Sequence, residues 1–274
     1  YMFSCGYNGN GNLGCGNTSN QSTLQLVNLW GTGSTKVKKF NTAGGQSGTS
    51  YLLLTSSGTL YTWGYNGYGQ LGHNHTYNTC VPIQVYYGGY SSASNPVTST
   101  GNAGTPSGGA VTGVWNAWMM GGNGYEYMYV TVGTSDSSNT CYACGYNGYY
   151  NLSNSGNNTT NSSTLQLVTY RGGTTLTNVV DVTSNNGHSS SYISQAVKRS
   201  DNEWYFGAYN NGCQPIGHSD SYNQRQYQDP DNISGNYRLK NNGMWPTMRT
   251  TKQQYYKWVM GGNRDRKSTR LNSS

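Results

Sequence analysis

The first 125 residues contain no aspartate and no glutamate. Charged side chains make up 9% of the whole chain, against roughly 25% in ordinary globular domains. This scarcity excludes paired-carboxylate catalysis from the first half, which has no carboxyl groups to act as acid, base or nucleophile. It also deprives His73 and His75, a His-x-His pair, of the nearby carboxylate that a metal site of that kind needs. Both read as ordinary exposed loop histidines. No run approaches the ~18 apolar residues of a membrane helix, so no membrane span is expected. Phosphate-cradling G-x-x-x-x-G-K-[ST], the G-x-S-x-G elbow and H-E-x-x-H are all missing. No cofactor and no enzymatic activity are expected.

The net charge is +7, yet outside residues 265–274 the only tight basic cluster is Lys36, Lys38 and Lys39. A nucleic-acid reader shows a stripe of Lys and Arg, so nucleic acid is not an expected partner. The cluster reads as a strand edge protected by lysines. A disulfide framework is also lacking. Cys141 and Cys144 form the one C-x-x-C, and no second completes a zinc site. Three strand steps span about 10 Å and put the two side chains on opposite faces, beyond the about 7 Å that a disulfide tolerates. Core filling is the reading for both, and for Cys5. Cys15, Cys80 and Cys213 fall in loops as candidate free thiols. Asp229-Pro-Asp-Asn232 reads as a turn, with calcium coordination as a weak alternative. Glu203 stands where another copy of the repeat has Leu60.

What the chain has in quantity is aromatic surface. Its 26 Tyr and 7 Trp supply the buried area and strand propensity that disordered chains lack. Many of them recur in a fixed setting. Leu60 to Asn74 reads LYTWGYNGYGQLGHN, and the pattern returns from Cys5 (CGYNGNGNLG), from Cys144 (CGYNGYYNL) and, in degenerate form, from Phe206 (FGAYNNGCQPIGH). The anchoring glycines are Gly6, Gly64, Gly145 and Gly207, at intervals of 58, 81 and 62. The long interval contains Tyr86 to Gly113, a Gly/Ser/Thr/Asn/Pro tract that reads as an inserted loop. Ser22 to Val27 and Ser163 to Val168 are identical, and Trp118-Met-Met-Gly-Gly-Asn123 is echoed by Trp258-Val-Met-Gly-Gly-Asn263. A period of this size means one supersecondary unit per repeat.

In the second copy the units can be placed. Val37 to Thr42 alternates and reads as an inner strand. Tyr51 to Thr55 is a continuous apolar run, Ser56 to Gly58 a turn, Thr59 to Trp63 a strand, and Pro82 to Val85 an outer strand. Four short strands joined by glycine turns make a small antiparallel sheet. The continuous run requires burial on both faces, which radial stacking of sheets provides. In the motif, the strand stops at Gly64 and turns at once. Asn66 can hydrogen-bond its own backbone, Gly67, Gly69 and Gly72 allow positive φ or close approach, and Leu71 returns to the core. Trp63 and its counterparts Cys5, Cys144 and Phe206 read as buried.

The series Gly44, Leu53-Leu54-Thr55, Gly58, Trp63-Gly64, Asn66, Gly69-Gln70-Leu71-Gly72, Pro82 and Val85 resembles the regulator of chromosome condensation repeat family. The likeness is closest in the second copy, looser in the first and third, and loosest in the fourth. It implies an all-β fold: a partial seven-bladed β-propeller of four-stranded antiparallel blades. Residues 1–264 are then one incomplete propeller domain. Its copies lie at about 1–30, 37–85, 114–168, 179–230 and 255–264, and its inserted loop at 86–113. The chain lacks an initiator Met, and residues 265–274 (DRKSTRLNSS) match the translation of a common sequencing adapter. They read as a non-native tail on a metagenomic-type fragment. Without them 13 basic and 8 acidic residues remain, and the net charge falls to +5.

Propeller loops cluster on two rims. Here they are rich in Tyr, Asn, Gly and Ser, the composition of adaptable recognition loops. Tyr68, His73, Tyr149 and Tyr150 are the expected binding residues, for a protein or glycan partner, whereas Tyr65 and Tyr146 are expected to pack along their blades. Low charge with heavy Asn, Ser, Thr and Gly use is similar to virion or extracellular surface proteins such as phage tail or fibre components. The resemblance also implies an alternative, guanine nucleotide exchange on a small GTPase, although the 86–113 insertion carries none of the charge that the family's exchange surface uses. A further alternative is inhibition of a hydrolase, since a bacterial propeller of similar repeat inhibits β-lactamases.

Overall fold

In sheets two and three the motif is the hinge between the third and fourth strands of a small antiparallel sheet. The computed structural model describes residues 1–28, 36–45, 48–154, 159–169, 173–184, 194–201, 204–208 and 224–228. Sheet one has two strands, β1 (Phe3–Gly6) and β2 (Gln21–Leu26). Sheet two has four in sequential order, β3 (Val37–Gly45), β4 (Gly48–Thr55), β5 (Leu60–Gly64) and β6 (Thr79–Gln84). Within the insertion, β7 (Tyr90–Ser91) pairs with β8 (Thr105–Pro106). Sheet three comprises β9 (Val114–Met120), β10 (Tyr127–Ser135), β11 (Ser138–Gly145) and β12 (Ser162–Leu167). Sheet four comprises β13 (Val179–Ser184), β14 (Ser194–Arg199), β15 (Trp204–Ala208) and β16 (Gln224–Gln228). Cys213, His218, Glu203, the 229–232 segment, the fifth copy at 255–264 and the 265–274 tail lie outside the described residues.

The apolar run on β4 is buried on both faces. Leu52 and Leu54 pack with Leu60, Leu71, Ala117, Met119, Met128, Val130 and Cys144, which joins sheet two to sheet three. Leu53, between them, packs with Val27 and Trp63 against sheet one. Period-2 alternation sends neighbouring residues to opposite faces, so a strand between two sheets must be apolar throughout. The next strand of the same kind, β10, divides likewise. Met128 and Val130 face sheet two, while Tyr127 and Tyr129 join Val179, Val182 and Val197 of sheet four. Each fully buried Leu or Val contributes about 1.5–3 kcal/mol, and most of that is available only when the adjoining sheet is in place.

Cys141 and Cys144 follow the same rule. Both lie on β11, fully buried, in two different clusters on opposite faces of the sheet. Burial raises both thiols far above their ordinary range. Cys5 departs from expectation: it is exposed, because no described strand covers its face of sheet one. Cys80 departs the other way. It is the second residue of β6, buried, with its thiol pushed up to about 11, chiefly by desolvation.

The insertion is an ordered cover over the outer edge of sheet two. Cys80 N–H donates to the Val97 carbonyl at 2.7 Å, and Val97 N–H to that of Asn78 at 3.0 Å. Val81 and Ile83 pack under Tyr90, Val97 and Ala103. An outer strand with unpaired backbone groups invites edge-to-edge pairing, and this segment supplies the partners.

The motif loop of one sheet lies against the outer strand of the next. A Cβ on Gly11 would stand 2.6 Å from the Cα of Cys80 on β6, and one on Gly69 2.5 Å from that of Ser163 on β12. Gly69 also has φ +78°, a region costing an L-residue about 1–2 kcal/mol. Gly69→Ala is therefore expected to destabilise by about 2 kcal/mol or more, read from the urea midpoint. Gly67→Ala should be milder, because the first atom its Cβ meets is the end of the Tyr65 side chain.

Candidate partner-binding rim

The loops after β1, β5 and β11 share one hydrogen-bond plan. At Gly6, Gly64 and Gly145 the pairing with the following strand (β2, β6 or β12) shifts register, and φ is +112°, +96° and +109°. The chain then turns over a fully buried asparagine: Asn8, Asn66 or Asn147. Its Oδ1 accepts from the backbone N–H five residues on: Leu13 at 2.9 Å, Leu71 at 3.0 Å and Leu152 at 2.9 Å. Its Nδ2 donates across the loop, to Asn17 and Ser19 carbonyls at 2.9 and 3.0 Å, to His75 and Tyr77 carbonyls at 2.8 and 3.1 Å, and to the Thr160 carbonyl at 3.1 Å. Its own N–H is held by a second asparagine side chain, that of Asn20, Asn78 or Asn161. This shared framework makes the rim loops rigid.

The residue before the leucine ties each loop to the next sheet. The Asn12 carbonyl accepts from Trp63 Nε1 at 3.1 Å, the Gln70 carbonyl from Cys144 Sγ at 3.6 Å, and the Asn151 carbonyl from Tyr129 OH and Gln195 Nε2, both at 2.7 Å. In the second copy the side chain is a glutamine, one methylene longer. Its Oε1 accepts from Tyr68 N–H at 2.9 Å, and its Nε2 donates to Ser50 Oγ at 3.1 Å and to Glu126 Oε2 at 3.3 Å. Glu126 also accepts from Gly124 N–H at 3.0 Å. It is fully buried, and desolvation raises its carboxyl to about 7 against the pull of its backbone hydrogen bonds. Sequence reasoning missed Glu126. The available signal was that it is the first acidic residue of the chain, set between Tyr125 and Tyr127.

Above Glu126 stand the tyrosines of the rim. Tyr68 stacks on Tyr125 with centroids 5.7 Å apart and meets the edge of Tyr146 at 5.1 Å, and Tyr125 meets Tyr146 at 5.1 Å. Tyr146 is buried and Tyr65 lies over Gly48 and Gly67, both in line with packing along the blade. Tyr68, Tyr149 and Tyr150 are half-buried, with Tyr68 and Tyr149 resting on the core between sheets three and four. Tyr149 and Tyr150 sit one motif loop beyond Tyr68. Tyr150 occupies the position of Gly11 and Gly69 and keeps their left-handed backbone, with φ +62°. The three motif loops, residues 7–20, 65–78 and 146–161, contain no Asp, Glu, Lys or Arg.

His73 does not present itself on this rim. It is 1% exposed, so the expectation of an exposed loop histidine is corrected. Thr62 Oγ1 donates to the Leu71 carbonyl at 2.8 Å, which leaves its oxygen to accept from His73 Nε2 at 2.9 Å. Among the described residues Nδ1 is left without a hydrogen bond, and the Tyr90 ring stands edge-on at 5.6 Å. Desolvation lowers His73 to about 3 and the half-buried His75 to about 4. The insertion, through Tyr90, covers the His73 ring and keeps it from solvent. Lys38 and Lys39 are not simply solvated either. Their ammonium groups lie 4.4 and 4.5 Å from the ring centroids of Trp115 and Trp118, and they donate to the Trp115 carbonyl and to Asn116 Oδ1. They thereby join β3 to β9. Among the described residues no three His, Cys, Asp or Glu are grouped as a metal site, and no helix is long and apolar enough to cross a membrane.

Residues 57–99 match the Regulator of chromosome condensation (RCC1) repeat, which takes in β5, the second motif loop, β6 and the start of the insertion. The chain is 38% identical over 87 residues to the X-linked retinitis pigmentosa GTPase regulator of Canis lupus familiaris, and 36% identical over 87 residues to the Homo sapiens protein of the same name. Each match covers 32% of this chain and 8% of the relative. Among solved structures, human WBSCR16 is similar with a TM-score of 0.50 at 18% identity, over 82% of this chain and 46% of that one. Yeast RCC1 (Prp20), solved with Kap60 bound, gives 0.50 at 14% identity, over 81% and 42%. The chain thus spans less than half of either structure. These likenesses show the fold: an all-β arc of four-stranded antiparallel blades of the RCC1 propeller kind.

Proposed function

We propose that the chain is a non-enzymatic binding propeller that presents Tyr68, Tyr149 and Tyr150 on rigid, uncharged loops to a protein partner, on a virion or cell surface. Tyr150 carries the reading. The first and second copies fill its position with glycine, whose backbone it keeps at a cost of about 1–2 kcal/mol. Strain retained at an accessible aromatic residue marks a functional position. Tyrosine gives a broad amphipathic contact at low entropic cost, and the buried asparagines hold the loops in place before binding, which favours affinity. A glycan would use the same tyrosines, and only the test separates it from a protein. The second reading, nucleotide exchange on a small GTPase, is favoured by one observation, the identity to proteins named GTPase regulators. The uncharged rim argues for placing it second.

The test is binding and nucleotide release with a small GTPase, run beside a neutral-glycan array and a display library of folded proteins. Tyr150→Gly should leave the chain as stable or about 1 kcal/mol more stable, while weakening the selected protein ligand at least about tenfold, the loss of one aromatic anchor. Accelerated GDP release would establish the second reading. Array binding that Tyr150→Gly abolishes would establish a glycan partner. Undiminished protein binding by the variant removes Tyr150 from the site.

A further inference from the structure

Two cysteines stand where the first motif loop, residues 7–20, lies against β6. Gly16 N–H donates to the Cys80 carbonyl at 2.8 Å. This bond joins the peptide that follows Cys15 to the peptide that follows Cys80. Planar trans peptides of standard dimensions then put the two α-carbons about 4–6 Å apart, within the span of an ordinary disulfide. Both thiols are directed into the same loop. The Cys80 Sγ would stand 2.8 Å from a Cβ on Gly11, and the Cys15 Sγ accepts from Nδ2 of the buried Asn8 at 3.7 Å. Both thiols are free, Cys15 half-buried and Cys80 buried. Burial, and after it the nearby Cys15, pushes the Cys80 thiol up to about 11. The next junction is built alike without sulfur. There Asn74 N–H donates to the Ser163 carbonyl at 2.7 Å, and His73 and Ser163 take the places of Cys15 and Cys80. The motif itself therefore does not require the pair.

We propose that Cys15 and Cys80 form a redox clip, in which oxidation joins their sulfurs and fastens the first motif loop to the outer strand of sheet two. The oxidant is a small-molecule disulfide of the glutathione class. Cys15 is the less buried thiol and reacts first. Its thiolate attacks one sulfur of glutathione disulfide, forms a mixed disulfide and releases one glutathione thiolate. The Cys80 thiolate then attacks the Cys15 sulfur, breaks the mixed disulfide and releases the second glutathione thiolate. Two protein thiols are oxidised, one disulfide is reduced to two thiols, and those two thiols take up the protons that the cysteines lose. Because the thiolate of Cys80 completes the clip, closure quickens as pH rises. The closed clip removes freedom from the unfolded chain and holds in place a loop whose backbone already rests on Cys80.

The test uses the 274-residue chain, purified reduced and then held in glutathione disulfide at mildly alkaline pH. Mass spectrometry should find the chain lighter by two hydrogens and, after digestion, a peptide linked through Cys15 and Cys80. The urea midpoint should rise by about 1 M and return with dithiothreitol. Cys5→Ser, which removes the exposed thiol, should keep both results. Cys15→Ser should lose both while keeping the circular dichroism spectrum of the reduced parent, because that side chain is only half-buried. A chain that keeps a glutathione adduct on Cys15 beside a reduced Cys80 overturns the proposal. So does a link from either cysteine to any other.

Discussion

Asn66→Ala is expected to destabilise the protein by about 3 kcal/mol, more than any single substitution among the rim tyrosines. Removing the amide leaves the buried Leu71 N–H without its partner, and takes a donor from the carbonyls of the half-buried His75 and the exposed Tyr77. An unsatisfied buried group costs about 1–3 kcal/mol, and the Leu71 N–H cannot find water while Leu71 stays fully buried between sheets two and three. Asn66→Asp sharpens the test. It preserves shape and the acceptor for Leu71, but directs a carboxylate oxygen at two carbonyl oxygens. At neutral pH it should be no milder than alanine. Asn8 and Asn147 make the same bonds, so Asn147→Ala should act similarly. Urea midpoints of the parent and the three variants check this. An Asn66→Asp protein within about 1 kcal/mol of the parent would show that the asparagine serves as a turn former and not as a hydrogen-bond hub.

The parts of the fold that depend on local pattern were legible in the sequence. The run from Tyr51 to Thr55 required two covered faces, and Leu53 and Leu54 lie in different cores. The cysteines three apart on one strand had to separate, and they did. What escaped depends on contacts between sheets. His73 follows a glycine and precedes an exposed asparagine, so nothing local marks it as buried. It becomes so because Tyr90, from the insertion, closes over it. Cys5 and Trp63 hold the same position in the motif, yet one is exposed and the other buried. Their difference lies in the neighbouring sheet and not in the motif. The insertion reads as an inserted loop by composition, and its backbone completes the edge of β6. Glu126 was hidden for the same reason: its partner Gln70 is 56 residues away, on the preceding sheet.

Glu126→Gln should change the pH dependence of stability by about 3 kcal/mol between pH 4.5 and 7, and the opposing histidines explain why the parent conceals it. A carboxyl raised to about 7 from an unfolded value near 4.5 keeps its proton in the folded state while the unfolded chain has lost it. Stability from Glu126 is therefore greatest below about pH 4.5 and declines as pH rises to 7, by ~1.4 kcal/mol for each pH step of one across that window. His73 runs the other way. Its folded value of about 3 lies below the ordinary 6.5, so its contribution is complete above 6.5 and is lost as pH falls towards 3. Between pH 4.5 and 6.5 the Glu126 and His73 slopes cancel, and the parent keeps only the slope of the half-buried His75, a rise in stability with pH weakened by solvent screening. The glutamine variant has only the histidine slope. Its stability should rise with pH across this window and exceed the parent's near pH 8 by about 1–2 kcal/mol, less than the whole carboxyl effect because an amide can accept from only one of Gly124 and Gln70. Thermal midpoints of parent, Glu126→Gln and His73→Asn from pH 4.5 to 8 separate the two slopes. Parallel curves for the parent and Glu126→Gln would mean that the carboxylate is solvated as an ordinary surface group, and the buried tie between sheets two and three would not exist in solution.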